Sequence, residues 1–201
     1  MKKKNSQKSR GSLMEDLNKL YRQMEDQYNN VANQLNLSCA VCNDNCCSSY
    51  FKHHTYIEWA YLWDGIQTCS QEKRELFLQR AKDYVRESEQ SLRQGKTPNL
   101  MCPLNTGGWC EMYEYRLMIC RLHGVPNQIK MPNGSIKNFP GCDPCQRMTA
   151  KMDKFPALDR TPLYIRLVEL ERQFTGKKGK SLPKVDMTIA EMLVKGAPPV
   201  P

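Results

Sequence analysis

Nowhere in the 201 residues do apolar side chains run for anything near the roughly 18 positions of a membrane-spanning helix. Lys2, Lys3 and Lys4 look like the basic start of a secretory signal, but polar residues follow them and no apolar stretch does. The expectation is a cytoplasmic chain with no membrane contact. Histidine is scarce as well, three in all, and none stands in the His-Glu-x-x-His spacing of a hydrolytic zinc site. A glycine-rich nucleotide loop, a paired-carboxylate signature and an internal repeat are all missing. These gaps weigh against nucleotide and zinc-hydrolase chemistry and leave open whether the chain is an enzyme.

Ten cysteines are present. In a reducing compartment, clustered cysteines serve as metal ligands or redox groups more often than as disulfides. Cys39 and Cys42 are spaced C-x2-C, which lets a tight turn aim two sulfurs at one metal while backbone N–H groups satisfy the thiolates. Cys46 and Cys47 follow, then Cys69, Cys102, Cys110, Cys120, Cys142 and Cys145, the last two again C-x2-C. Adjacent residues diverge by about 100° on a helix and face opposite ways on a strand. Cys46 and Cys47 are therefore not expected to be simple partners on one ion. A continuous helix would hold Cys110 and Cys120 about 15 Å apart, so they can share a metal only if the chain turns between them.

Four thiolates around Zn²⁺ or a [4Fe–4S]²⁺ cluster leave a net charge of about −2, which calls for nearby cations or N–H donors. Arg116 and Arg121 flank Cys120, and Lys52 follows the first cysteines. His53, His54 and His123 are further candidate ligands, His123 the best placed because it lies three residues after Cys120. Trp59, Trp63, Trp109 and Tyr113 are expected as core around the site.

The net charge of +9 is concentrated at the ends. Lys2, Lys3, Lys4, Lys8 and Arg10 open the chain, and Lys177, Lys178, Lys180 and Lys184 lie near its close, whereas residues 11–175 hold 20 basic and 19 acidic side chains. Solvated tails explain this better than nucleic-acid contact.

The expected fold is mainly α: a small irregular helical domain organised around a cysteine-ligated metal site, with an N-terminal helical arm. A disordered basic tail (1–11) precedes an amphipathic helix (12–37). Its start is expected at a Ser12/Glu15 capping box, with one face of Leu13, Leu17, Leu20, Met24, Val31 and Leu35. The cysteine-cluster domain spans 38–155. Within it, Thr55 and Glu58 form a second capping box, and Ser70 caps a long helix with a face of Leu76, Phe77, Ala81, Tyr84, Val85 and Leu92, ending near Gly95. Residues 98–145 read as irregular, with a helix after Pro144. Thr161 as N-cap and Pro162 at N1 open a helix within 156–175 that packs on the domain. A basic linker and a short helix capped by Thr188 and Glu191 fill 176–201.

The segments Cys39-Ala-Val-Cys42-Asn-Asp-Asn-Cys46-Cys47, Met101-Cys102-Pro103-Leu104, Cys110-Glu-Met-Tyr113-Glu114-Tyr-Arg116-Leu-Met-Ile-Cys120-Arg121 and Cys145-Gln-Arg-Met-Thr-Ala-Lys resemble the YkgJ-like cysteine-cluster family of zinc- or iron-chelating domains. The resemblance covers about residues 38–155. It implies eight ligands: Cys39, Cys42, Cys46, Cys47, Cys102, Cys110, Cys120 and Cys145. Cys69 and Cys142 would be extra thiols, and Arg116, Arg121 and His123 supporting groups or additional ligands. Two departures stand out: three residues rather than two precede Cys46–Cys47, and Leu117 replaces a proline, so the turn after Arg116 is less rigidly imposed.

The function expected from these features is a metal-binding protein holding an iron–sulfur cluster, for instance [4Fe–4S], or zinc. Its role would be redox, metal-handling or accessory, with an unidentified protein or redox partner. The alternatives are a metal-dependent protein-modifying enzyme similar to lysine N-methylases, and a zinc-folded interaction module with basic tails.

Overall fold

The computed structural model describes residues 8–38 and 46–200, and of Cys46 only the backbone. Residues 1–7, most of the expected basic tail, and residues 39–45 lie outside the described residues. The first helix, α1, runs Arg10–Gln34, two residues earlier than its predicted start. Ser9 is the N-cap, accepting from the Ser12 N–H at 3.2 Å, so Ser12 lies inside the helix. Arg10 Nη2 donates to both carboxylate oxygens of Asp64 at 2.7 and 2.8 Å, and Lys8 pairs with Asp16 on α1, so both basic residues are engaged. All six apolar residues of the expected stripe are buried.

The second helix, α2 (Tyr56–Gln67), is apolar almost all round and runs through the middle of the molecule, with Ile57, Trp59, Ala60, Tyr61, Leu62 and Ile66 buried. The expected capping box does not form. The Thr55 hydroxyl donates to Glu58 Oε2 at 2.8 Å rather than accepting a backbone N–H. The orphan N–H groups of Tyr56 and Ile57 are taken by Glu171, at 3.0 and 2.9 Å, from a helix more than a hundred residues on.

The third helix, α3 (Gln71–Arg93), is capped by Ser70 and stops ahead of Gly95 at φ +70°. Its buried stripe is Phe77, Ala81, Tyr84 and Ser88, and this side packs on α7 (Ile189–Lys195). Leu76 and Leu92, expected on that face, are exposed: Leu76 is rotated about 100° from Phe77, and Leu92, though nearly in line with Ser88, lies in the last turn of the helix. The Thr188/Glu191 capping box of α7 is complete.

Between α3 and the C-terminal helices lie short elements. Strands β1 (Asn105–Thr106) and β2 (Trp109–Cys110) form an antiparallel pair, and α4 covers Met118–Leu122. Strand β3 (Asn127–Lys130) pairs antiparallel with β4 (Ile136–Phe139) and parallel with β5 (Leu158–Asp159), giving the order β4-β3-β5. Helix α5 (Asp143–Thr149) lies between β4 and β5. Helix α6 (Thr161–Thr175) packs on α1 and α2. Its N-cap is Arg160, so Pro162 stands one position further in than expected, and the Thr161 N–H is satisfied by Asp159 at 2.9 Å. The supposed basic linker is folded, with Gly176–Lys180 forming a 3-10 turn. Among the described residues no helix is long and apolar enough to cross a membrane.

One buried side chain ties three of these elements together. Glu58 Oε1 accepts the Tyr21 hydroxyl of α1 at 3.1 Å and the Met118 N–H at the start of α4 at 2.7 Å, while Oε2 accepts Thr55. Burial pushes the Glu58 carboxyl above its ordinary value of 4.5, although the three donors pull it down. A carboxyl raised on folding contributes stability at low pH that is lost as pH rises through and above 4.5. Glu58→Ala strands the buried Met118 N–H and should cost about 2–4 kcal/mol in urea unfolding. Glu58→Gln keeps an acceptor for that N–H, so it should cost less and lose this fall in stability with rising pH. Equal costs for the two variants would contradict the assignment.

Candidate metal centre

Five cysteines from separate stretches of chain, Cys47, Cys102, Cys110, Cys120 and Cys142, reach the wall of one cavity of about 570 Å³. Cys47 lies in a 3-10 turn, Cys46–Ser48; Cys102 follows α3; Cys110 ends β2; Cys120 is in α4. The Cys102 N–H donates to the Cys47 carbonyl at 2.9 Å, which fixes the first two segments together.

The β1–β2 hairpin brings in Cys110. Its two-residue loop is Gly107-Gly108, with φ +60° and +92°, the doubly left-handed turn that matches strand twist and that glycine takes without strain. Between Cys110 and Cys120 the chain does turn. A 3-10 turn at Tyr113–Tyr115 is followed by extended Arg116 and Leu117, and α4 then begins under the hold of Glu58 on Met118. Leu117, standing where a proline would be expected from the resemblance, is fully buried, so packing imposes the turn.

The thiols are tuned by burial and by one another. Desolvation pushes Cys102, Cys110 and Cys120 up, Cys120 to about 12, and each is raised further by neighbouring thiols among Cys47, Cys102, Cys110 and Cys120. Backbone N–H groups two residues on oppose this: Leu104 donates to Cys102 and Met112 to Cys110. Such N–H···S contacts favour the thiolate over the thiol.

Arg116 is the cation beside the site, lowering Cys110 and Cys120. Its guanidinium carbon lies 3.5 Å from the Tyr113 ring centre, and its Nε donates to the Tyr113 carbonyl at 3.2 Å. Arg121 instead secures the backbone, donating to the carbonyls of Arg116 at 2.7 Å and Glu114 at 2.6 Å beneath the Tyr21 ring. Lys52, expected as a countercharge, turns away to Asp186 at 3.3 Å.

His123 lines the same cavity, its Nε2 3.5 Å from Ser49 Oγ and its ring edge-on to Phe51; burial lowers its pKa. His53 also lines the cavity and is fully buried, with Nδ1 lacking a partner among the described residues. His54 pairs with Asp186 on the surface. Trp59 is core, as expected, but Trp109 and Tyr113 are not: Trp109 is 70% exposed and Tyr113 48%, both at the cavity rim.

Cys142 lines the cavity and Cys145 does not; Cys145 is buried, raised to about 11 by desolvation and by Cys142. Cys69 lies elsewhere, against Gly65 and Met112. Cys39 and Cys42 lie outside the described residues, as does the side chain of Cys46. Among the described residues, no three His, Cys, Asp or Glu side chains are grouped closely enough to hold a metal ion. The chemistry of the donor set nevertheless fits a thiophilic metal: soft sulfur ligands, N–H donors on two of them, and a guanidinium to offset charge.

Comparison of the chain with protein-family models, with curated proteins and with solved structures finds no match in any of the three.

His53 gives this region a pH signature. Burial depresses its pKa from 6.5 to about 3, so it is neutral in the fold. Its contribution to stability is complete above pH 6.5 and is lost as pH falls toward 3, at about 1.4 kcal/mol per unit. His53→Phe should flatten the loss of urea stability between about pH 7 and 5. An unchanged loss in that variant would show that His53 is not held neutral.

Proposed function

We propose that this chain is a metal-binding protein in which cysteine thiolates hold an iron–sulfur cluster or zinc, in a redox, metal-handling or accessory role. The observation that carries the reading is the convergence of Cys47, Cys102, Cys110 and Cys120, distant in sequence, on one cavity where two of the sulfurs already accept backbone N–H groups. Buried thiols cost the fold less than buried charges while protonated. A metal would supply the positive charge that makes their deprotonation favourable, which couples binding to proton release and to stability. Cys39, Cys42 and Cys46 are the natural completing ligands by sequence, in keeping with the resemblance to the YkgJ-like family. Cys145 belongs to that ligand set by resemblance alone.

A second reading, a metal-dependent protein-modifying enzyme, rests on the open rim where Trp109 and Tyr113 stand exposed beside the thiols.

The test is purification without oxygen, followed by assay of iron, zinc and acid-labile sulfide. Brown protein with iron and sulfide supports the cluster, and colourless protein with stoichiometric zinc supports zinc. Absence of both metals, with every thiol reactive, would overturn the reading. Cys110→Ser should lose metal and lower the melting temperature together, whereas Cys69→Ser, outside the cavity, should keep full metal content.

A further inference from the structure

On a different part of the molecule, the basic stretch after α6 lines a cleft of about 780 Å³, within the roughly 300–1,000 Å³ range of small-molecule sites. Its walls are the start of α2, the last turn of α6, the 3-10 turn and residues 182–186. The wall is built rather than loose. The Tyr56 hydroxyl donates to the Pro183 carbonyl at 2.8 Å, and Lys52 Nζ reaches the Asp186 carbonyl at 3.2 Å. Gly179 lies so close to Thr175 that a Cβ there would come within 2.5 Å of the hydroxyl oxygen.

The charges on this wall are unevenly matched. Asp186 is answered by Lys52 and His54, and Glu171 by the two N–H groups at the start of α2. Arg172, Lys180 and Lys184 have no acidic partner among the described residues. The carbonyl end of α6 attracts cations, but its dipole is worth only about half a negative charge against three positive ones. The apolar side of the cleft is Tyr56, Leu182 and Val185.

We infer that this cleft binds a small polyvalent oxyanion of the phosphate-ester or pyrophosphate type, through Arg172, Lys180 and Lys184. The site is independent of the cysteine centre. Calorimetric titration of the full chain with sodium pyrophosphate, in low-salt buffer free of phosphate, should show one saturable site. Lys180→Gln/Lys184→Gln should weaken it about tenfold or more, since charge-assisted hydrogen bonds are lost. Lys177→Gln/Lys178→Gln removes the same net charge from the adjoining 3-10 turn but outside the lining, and should change affinity by no more than about twofold. Circular dichroism should match wild type for both pairs. Adenosine diphosphate in a parallel titration separates sources: tighter binding than pyrophosphate points to a nucleotide, equal binding to the free oxyanion. Equal losses in the two double variants, or no saturable binding by wild type, would overturn the inference.

Discussion

Among the described residues the Glu58 carboxyl makes no salt bridge to a lysine or arginine. It is held in the interior by the Tyr21 hydroxyl, the Thr55 hydroxyl and the Met118 N–H, donors from α1, the entry to α2 and the start of α4. Burying a carboxylate is expensive unless hydrogen bonds compensate it, and these three do so only if the three segments meet. The same contact decides where α4 begins, and therefore where Cys120 and Arg121 stand. Arg121 passes the constraint on, because its donors fix the carbonyls of Glu114 and Arg116. The turn between Cys110 and Cys120 is thus held from both sides.

A second carboxylate works the same way at longer range. Glu171 caps α2 from α6, and burial raises its pKa as it does that of Glu58. The central helix therefore depends on an acid in α6, a few residues ahead of the basic turn. His53 titrates with the opposite sign. Its contribution to stability falls as pH falls below 6.5, whereas those of Glu58 and Glu171 fall as pH rises above 4.5.

What could be read from sequence was what depends on neighbours a few residues away. The stripe of α1, the Ser70 cap and the Thr188/Glu191 box are local patterns, and each is where spacing placed it. Glu58 was legible as a helix-start residue but not as a link to Tyr21 and Met118, because those partners are 37 and 60 residues away. The two hairpins carried local signals, Gly107-Gly108 and Asn133-Gly134, overshadowed by the irregular, cysteine-rich composition around them. Trp109 is exposed because it sits at the end of a two-residue turn, a position no hydrophobicity pattern records. For the candidate site, spacing named the cysteines and the fold sorts them: Cys47, Cys102, Cys110, Cys120 and Cys142 face one cavity, while Cys69 and Cys145 stand off it.

The central claim is that sulfur, supplied by these cysteines, is what a bound metal meets. X-ray absorption at the iron and zinc edges of protein purified without oxygen tests it most directly. The account predicts a first shell of sulfur alone, at about 2.3 Å for zinc, and its loss in Cys110→Ser. A shell of nitrogen and oxygen, or the same sulfur shell in the variant, would contradict it.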